Sequence, residues 1–387
     1  ILGRRRLSCP AHQIDRLFPE AMAFANKHGL SKLLVAFEPA GLYWCLAAEA
    51  CERAGIDYVL VHGLAVKRER EGTRFTSEKT DPRDADLIAL LPAQGKFIET
   101  ALSPTTQRET LAQLARDYFL IRRLSAAERT RLSNFWNRTL PEFFSVLREP
   151  TSNTALAVAG ALEAIEAVPS LSTRSWTARV RRAAQGDRIL TSRAASVLPL
   201  LKEALADPVR RSTLGIAARI RHSAQRRRLL EAQKLDLRSE ILARYASFEE
   251  QPFLDSIPGS DPFYNALVLG MVGDFHRFDD PRTLVKLAGS EVNHYFSGDW
   301  DGTSRISHRG RSPLRAAAYQ QARFLVHRNP DFQARFHHLL HRTDRPSLRD
   351  LPAYVAVMNS YLRIAHVLVT GRQLYVPLAE RTAMDHA

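Results

Sequence analysis

The chain has 387 residues, and its 45% hydrophobic content excludes global disorder. Its 55 Lys and Arg outnumber 41 Asp and Glu, a formal net charge of +14 that suits a polyanionic partner such as nucleic acid or an anionic surface. Three cysteines (Cys9, Cys45 and Cys51) cannot build a disulfide framework or a four-ligand zinc site of their own, and no apolar run reaches the roughly 18 residues that a membrane span needs.

Residues 1–10 open on Ile1 and carry Arg4, Arg5 and Arg6, with no apolar signal core behind them. The periodicity predicts an amphipathic helix over 11–29, stopped by Gly29. Leu33–Phe37 is a short apolar run and reads as a buried strand. A helix follows over 42–53, ended by Gly55, and then a second strand over 56–61. Strand, helix, strand in that order predicts a parallel α/β unit. Residues 63–80 are polar and basic, with Lys67, Arg68, Arg70, Arg74 and Lys79, and lead into a helix over 82–91. From 104 to 147 the pattern is helical and charged. From 150 to 206 it is alanine-rich, with breaks at Pro169, Gly186 and Pro199. A long helix is expected over 209–247, where Leu230, Leu237, Ile241 and Phe248 permit a coiled coil or packing inside one domain. Gly, Pro, aromatic residues and His increase after 251. Helices are expected over 262–272, 281–288, 312–328, 330–342 and 351–370, with a loop from Gly289 to Arg311.

Several features bear on chemistry. Glu38 directly follows an apolar strand, where parallel sheets gather ligand groups. Asp81 and Asp84, three apart at a helix start beside Pro82, can turn towards one point. Clustered carboxylates repel unless a cation neutralises them, and hard oxygen donors favour Mg²⁺ or Mn²⁺. As a plain helix cap and a surface charge, the same two aspartates need no ion. Ser297 precedes Gly298 and is followed by His308 and by Arg305, Arg309, Arg311 and Arg315, whose guanidinium groups suit a phosphoryl transition state. A Ser-Gly pair is otherwise an ordinary turn. Gly259, ahead of a helix, offers backbone N–H groups to a phosphate, or is simply a helix-initiating loop. Arg226, Arg227 and Arg228 form a basic run that reads either as a phosphate-binding face or as a solvated one. His337 and His341 share a helix face but lack an acidic residue between them. Trp136, Trp176 and Trp300 fit core packing as well as base stacking.

Taken in order, these segments resemble one family. The strand ending Glu38-Pro39-Ala40-Gly41 and the run Lys79-Thr80-Asp81-Pro82-Arg83-Asp84-Ala85 are similar to the RuvC-like N-terminal domain of DEDD insertion-sequence transposases, the group that includes the Piv-type invertases. Ile257-Pro258-Gly259, Leu287-Ala288-Gly289, Ser297-Gly298, Arg305 to Gly310 and Leu314-Arg315 resemble that family's C-terminal transposase domain. The resemblance implies an α/β plus α fold. An RNase H-like (RuvC-like) domain would span 1–100, a helical or coiled-coil linker 101–250, and a mostly helical C-terminal domain 251–387. It also implies four acids that bind Mg²⁺. Glu38 matches the second, Asp81 the third and Asp84 the fourth. The first, an Asp on an opening strand, is expected before residue 1, so the chain reads as N-terminally truncated. Ser297 matches a serine nucleophile that links covalently to DNA. Lys79, Arg226, Arg227, Arg228, Gly259, Arg305, His308, Arg309, Arg311 and Arg315 are the expected nucleic-acid contacts. The family usually has Lys at the position of His308 and Asn at that of Arg311.

The function expected is Mg²⁺-dependent DNA cleavage and strand exchange by a cytoplasmic, nucleoid-associated homo-oligomer without a membrane partner. The resemblance also implies a structured guide RNA that bridges donor and target DNA. Two alternatives stay open: a RuvC-like structure-specific nuclease, which has no use for Ser297, and an inactive nucleic-acid-binding remnant.

Overall fold

The computed structural model describes residues 11–39, 43–74, 81–97, 106–214, 217–293, 296–297, 300–301, 305–343 and 346–380. The chain divides into two compact units, residues 1–105 and 106–387.

The first unit opens with helix α1 (Ala11–Lys27), followed by β1 (Leu34–Phe37), α2 (Tyr43–Arg53), β2 (Asp57–Leu60), α3 (Gly63–Arg74) and α4 (Asp81–Leu90). β1 and β2 pair in parallel, Leu34 opposite Asp57 and Phe37 opposite Leu60. The expected strand–helix–strand unit is therefore present, because two apolar runs too short to be helices flank an amphipathic segment. Phe18, Ala50, Cys51 and Ile56 close one small core, and Val61, Val66 and Leu91 close a second. Burial pushes the Cys51 thiol up to about 12, so it stays protonated and unreactive at neutral pH.

The second unit is helical. Its first half contains α5 (Thr106–Thr139), the single turn α6 (Phe143–Val146), α7 (Asn153–Gly160), α8 (Thr173–Ala183), α9 (Thr191–Ala206), α10 (Pro208–Leu214) and α11 (Ala217–Tyr245). The two long helices α5 and α11 run antiparallel. Gln107 donates to Ser247, Ser125 to Glu231, and Arg226 to Glu128. The leucine spacing in α11 thus serves packing within this chain: Leu237 and Ile241 lie against the core. One end of the pair enters a core with Trp136, Trp176, Val197 and Leu201. Trp136 stacks on Phe143 at 4.0 Å, and Trp176 Nε1 donates to the Ala194 carbonyl at 2.8 Å, so both indoles are core residues rather than base-stacking platforms. The other end of the pair enters a second core with the remaining helices.

Those are α12 (Gln251–Asp255), α13 (Pro262–Val272), α14 (Arg282–Ala288), α15 (Ser312–Arg328), α16 (Pro330–His341) and α17 (Asp350–Thr370). α13 is apolar all round and almost entirely buried, with α5, α11 and α15 packed against it. Gly270 permits this packing, since a side chain there would press on the Leu111 backbone carbonyl at 3.0 Å. The stretch expected as a loop from Gly289 to Arg311 holds four two-residue strands: β3 (Val292–Asn293), β4 (Phe296–Ser297), β5 (Trp300–Asp301) and β6 (Arg305–Ile306). β3 pairs antiparallel with β6, and β4 with β5, one pair nested inside the other in sequence. Strands of two residues are too short to show an alternating period, although β-branched and aromatic residues mark all four. No helix among the described residues is long and apolar enough to cross a membrane.

Candidate carboxylate site and basic hairpin

The parallel pair places Glu38. The Val61 amide donates to the Phe37 carbonyl at 2.7 Å, so the ends of both strands lie side by side. The chain then turns at His62, whose Nδ1 accepts from the Leu64 amide at 3.0 Å, and enters α3. Gly63 is the first residue of that helix, and any side chain there would collide with Glu38 Oε1. The Glu38 carboxylate therefore rests over the start of α3, where the helix dipole favours a negative charge. Glu38 also lines a cleft of about 690 Å³ together with Phe37, Trp44, Ala85 and Ile88. The strand-end acid and the middle of α4, at Ala85 and Ile88, thus border one space, whereas Asp81 and Asp84 are not among the residues that line it.

The two aspartates of α4 behave differently. Asp81 is exposed at the first position of the helix. Asp84 is buried, at 7% exposure, and its Oδ1 accepts from Arg70 Nη2 at 2.7 Å and Nε at 3.0 Å. Arg70 projects from α3, so this ion pair ties α3 to α4. Sequence reasoning counted Arg70 only among the basic residues of 63–80, because the partner of a helical arginine is set by which helix packs beside it. The donors fit a hard divalent ion in kind, being carboxylate oxygens. As arranged, the ligand set is open: Arg70 already neutralises Asp84, and among the described residues no three His, Cys, Asp or Glu side chains are grouped to hold a metal ion. His337 and His341 stack on each other at the surface of α16, with no third ligand beside them among those residues.

Ser297 ends β4, opposite Trp300 of β5. The base of this hairpin region is anchored on α14. The His308 amide donates to the Gly289 carbonyl at 2.9 Å, and the Arg311 amide to the Leu287 carbonyl at 2.6 Å. Gly289 caps α14 in the left-handed region at φ 64°.

Two family models match these segments. One, described as Transposase IS116/IS110/IS902 family, covers residues 251–337, and a DEDD transposase model of IS110 elements covers residues 4–145. The chain belongs to the IS110 transposase family. The matched segments hold Glu38, Asp81 and Asp84 in one case and Ser297 in the other, and membership implies DNA as the substrate of this transposase. No curated protein matches the chain.

The basic residues of the transposase separate into two groups. Arg305, His308 and Arg309 are exposed along the hairpin, with His308 in the left-handed region at φ 53°. Arg226, Arg227, Arg228, Arg311 and Arg315 hydrogen-bond within the chain, although Arg226 and Arg311 are exposed as well. Arg226 forms a forked pair with Glu128, at 2.9 and 3.2 Å. Arg227 pairs with Glu231 at 2.7 Å, and Arg228 Nη1 donates to the Ala183 carbonyl at 2.7 Å. Arg226 and Arg228 therefore fasten α11 to its neighbours within this unit, while the Arg227 pair stays inside α11, one turn apart. Arg315 donates to the Ala288 carbonyl at 2.7 Å and so caps α14. Arg311 Nη1 donates to the Met271 carbonyl. Crowding by the surrounding protein, with Arg277 and Arg116 close by, brings the Arg311 guanidinium down to about 10, so it still carries its charge at neutral pH. Gly259, at φ 80°, packs so close to Arg328 that a side chain would overlap it at 2.6 Å, which gives this glycine a packing reason. Lys79 lies outside the described residues.

Gly310 is the tightest point of the hairpin base. A Cβ there would overlap the Gly289 amide and the Leu287 carbonyl, both backbone atoms that no rotamer change can clear. Gly310→Ala is expected to destabilise the second unit by about 2–3 kcal/mol, as overpacking does. The check is a lowered urea midpoint with an unchanged slope; an unaltered midpoint would show that the hairpin base yields freely.

Proposed function

We propose that this transposase cleaves and rejoins DNA through Ser297, with Glu38, Asp81 and Asp84 as its acidic residues. The observation that supports the reading is the placement of Glu38 at the end of a parallel strand, bordering the same cleft as Ala85 and Ile88 of the aspartate-bearing helix α4. Ser297 Oγ attacks the scissile phosphorus. One P–O bond to the serine forms as the P–O bond to the leaving strand breaks, and the proton lost by Ser297 is matched by the proton the leaving hydroxyl takes up. Arg305 and Arg309 neutralise charge that develops on the phosphate oxygens. Glu38, Asp81 and Asp84 would hold Mg²⁺ or Mn²⁺, which supplies a Lewis acid for phosphate oxygens when bound, and Asp84 would then have to give up Arg70. A bridging guide RNA and a homo-oligomer belong to the same proposal. Exposed leucines on the long helices (Leu120, Leu124, Leu229 and Leu235) support contact with a second copy.

The test is strand joining. Purified protein, a labelled DNA duplex carrying the element ends, the element's own RNA and Mg²⁺ are expected to give joined product without ligase, and EDTA is expected to suppress it. A serine-linked phosphodiester keeps the bond energy that hydrolysis discards. Nicked strands with no joined product would replace the recombinase with the nuclease alternative.

A further inference from the structure

Away from the hairpin and the carboxylates, the second unit contains a cavity of about 900 Å³. It lies between α16 and α17 and is walled on one side by the chain after Gly371. That C-terminal segment is held in place. The Tyr375 hydroxyl and the Leu378 amide both donate to Asp331 Oδ2, at 2.6 and 3.0 Å, and the Tyr375 amide donates to Ser256 Oγ at 2.9 Å. The wall is apolar over most of its area, with Ile364, Leu374 and Tyr375 among its residues.

Two arginines and a histidine break that apolar wall. Arg335 and His338 come from α16, and Arg363 from α17. Among the described residues neither guanidinium is in an ion pair. Arg363 makes only long contacts inside its own helix, to the Asn359 carbonyl at 3.3 Å and Ser360 Oγ at 3.5 Å. Both side chains are exposed at the cavity rim, where the protein packed around Arg335, and then the like charge of Arg363, lower the pKa of Arg335. The one carboxylate in the wall, Asp331, already accepts from Tyr375 and Leu378. Two like charges held at one cavity cost stability unless an anion joins them. The +14 chain as a whole is built for polyanions.

We propose that this cavity binds an unpaired nucleotide of single-stranded DNA, its phosphate between Arg335 and Arg363 and its base against Tyr375 and the aliphatic wall. The chemistry is that of strand-binding channels generally, where guanidinium groups hold the backbone and apolar or aromatic side chains take the base. A stacked duplex offers no base to a concavity between two helices, whereas a strand separated during exchange does. The inference rests on the DNA-processing reading given above.

Fluorescence anisotropy with a fluorescein-labelled strand of twenty thymidines, in EDTA so that no cleavage occurs, tests it. The double variant Arg335→Gln/Arg363→Gln is expected to bind about tenfold more weakly or worse, with a log affinity against log salt slope flatter by about one to two. Its melting temperature should hold or rise, because a repulsion has gone. The charge-matched control Arg193→Gln/Arg211→Gln, at exposed positions elsewhere in the unit, is expected to lose far less. Equal losses in the two double variants overturn the proposal. A second readout needs no arginine change: in Leu374→Trp, the new indole should be quenched by the same unlabelled strand, and constant emission at saturating DNA overturns the proposal as well. A parent protein that joins DNA while the cavity stays unresponsive removes the cavity alone. A parent that binds no DNA removes the functional reading too.

Discussion

Ser297→Ala is expected to abolish both the covalent protein–DNA adduct and the joined product while leaving DNA affinity within about twofold. The substitution deletes one hydroxyl oxygen and changes no charge, so the phosphate contacts that dominate affinity persist. The backbone requirement is modest as well: Ser297 sits in a two-residue strand paired with Trp300, and alanine adopts extended backbone without strain. Loss of a nucleophile that forms the intermediate leaves no alternative oxygen at that position, and the expected fall in rate is several orders of magnitude. The measurement is a denaturing gel of labelled DNA after phenol extraction or proteinase treatment, parent against variant. An adduct that survives in Ser297→Ala would falsify the nucleophile assignment and move attention to a hydroxyl elsewhere in the hairpin.

The largest expected loss of stability lies at Asn265, a polar residue inside the apolar helix α13. It is fully buried and makes a closed set of hydrogen bonds. Its Nδ2 donates to the Leu254 carbonyl at 3.1 Å and to Asp255 Oδ1 at 2.8 Å. Its Oδ1 accepts from Gln321 Nε2 at 3.0 Å and from the Tyr361 hydroxyl at 2.8 Å. One side chain thereby joins α12, α13, α15 and α17. Burial and the nearby Asp255 carboxylate push the Tyr361 phenol well above its usual range, so it remains a donor at any working pH. Asn265→Ala strands the Gln321 and Tyr361 donors without water to replace the lost acceptor. Each orphaned buried group costs about 1–3 kcal/mol, and the sum expected here is about 3–5 kcal/mol. Urea unfolding followed by circular dichroism gives the number. A loss below about 1 kcal/mol would mean that water enters the core and takes Asn265's place.

Buried networks of this kind explain a limit of sequence reading. Asn265 is one polar letter in Pro262–Val272, and the periodicity that marks the segment as a buried helix cannot say which partners a polar residue will meet. Those partners come from residues 254, 255, 321 and 361, brought together only when the helices pack. Arg70 is a second case. Its spacing on α3 shows a basic helix, but its engagement with Asp84 depends on α3 lying beside α4. Arg226 and Arg228 are a third, since each met its partner across helices, at Glu128 and at the Ala183 carbonyl, whereas Arg227 pairs locally with Glu231 four residues on.

Local order was legible because it rests on local physics. The two short apolar runs around 34–37 and 57–60, the glycines that stop the first two helices, and the helix boundaries after 251 follow from side-chain period and backbone freedom, which act within a few residues. The family was legible for a related reason, since Glu38, the Asp81 and Asp84 pair and Ser297 are separated by fixed chain lengths that a linear reading preserves. Tertiary structure alone decided that Arg226 and Arg228 are engaged across helices while Arg305 and Arg309 stay exposed, that Glu38 lies over the start of α3, and that Arg335 and Arg363 share a cavity. Each of these depends on an encounter between segments remote in the chain, and an ion pair or a repulsion has no signature until both partners are in place.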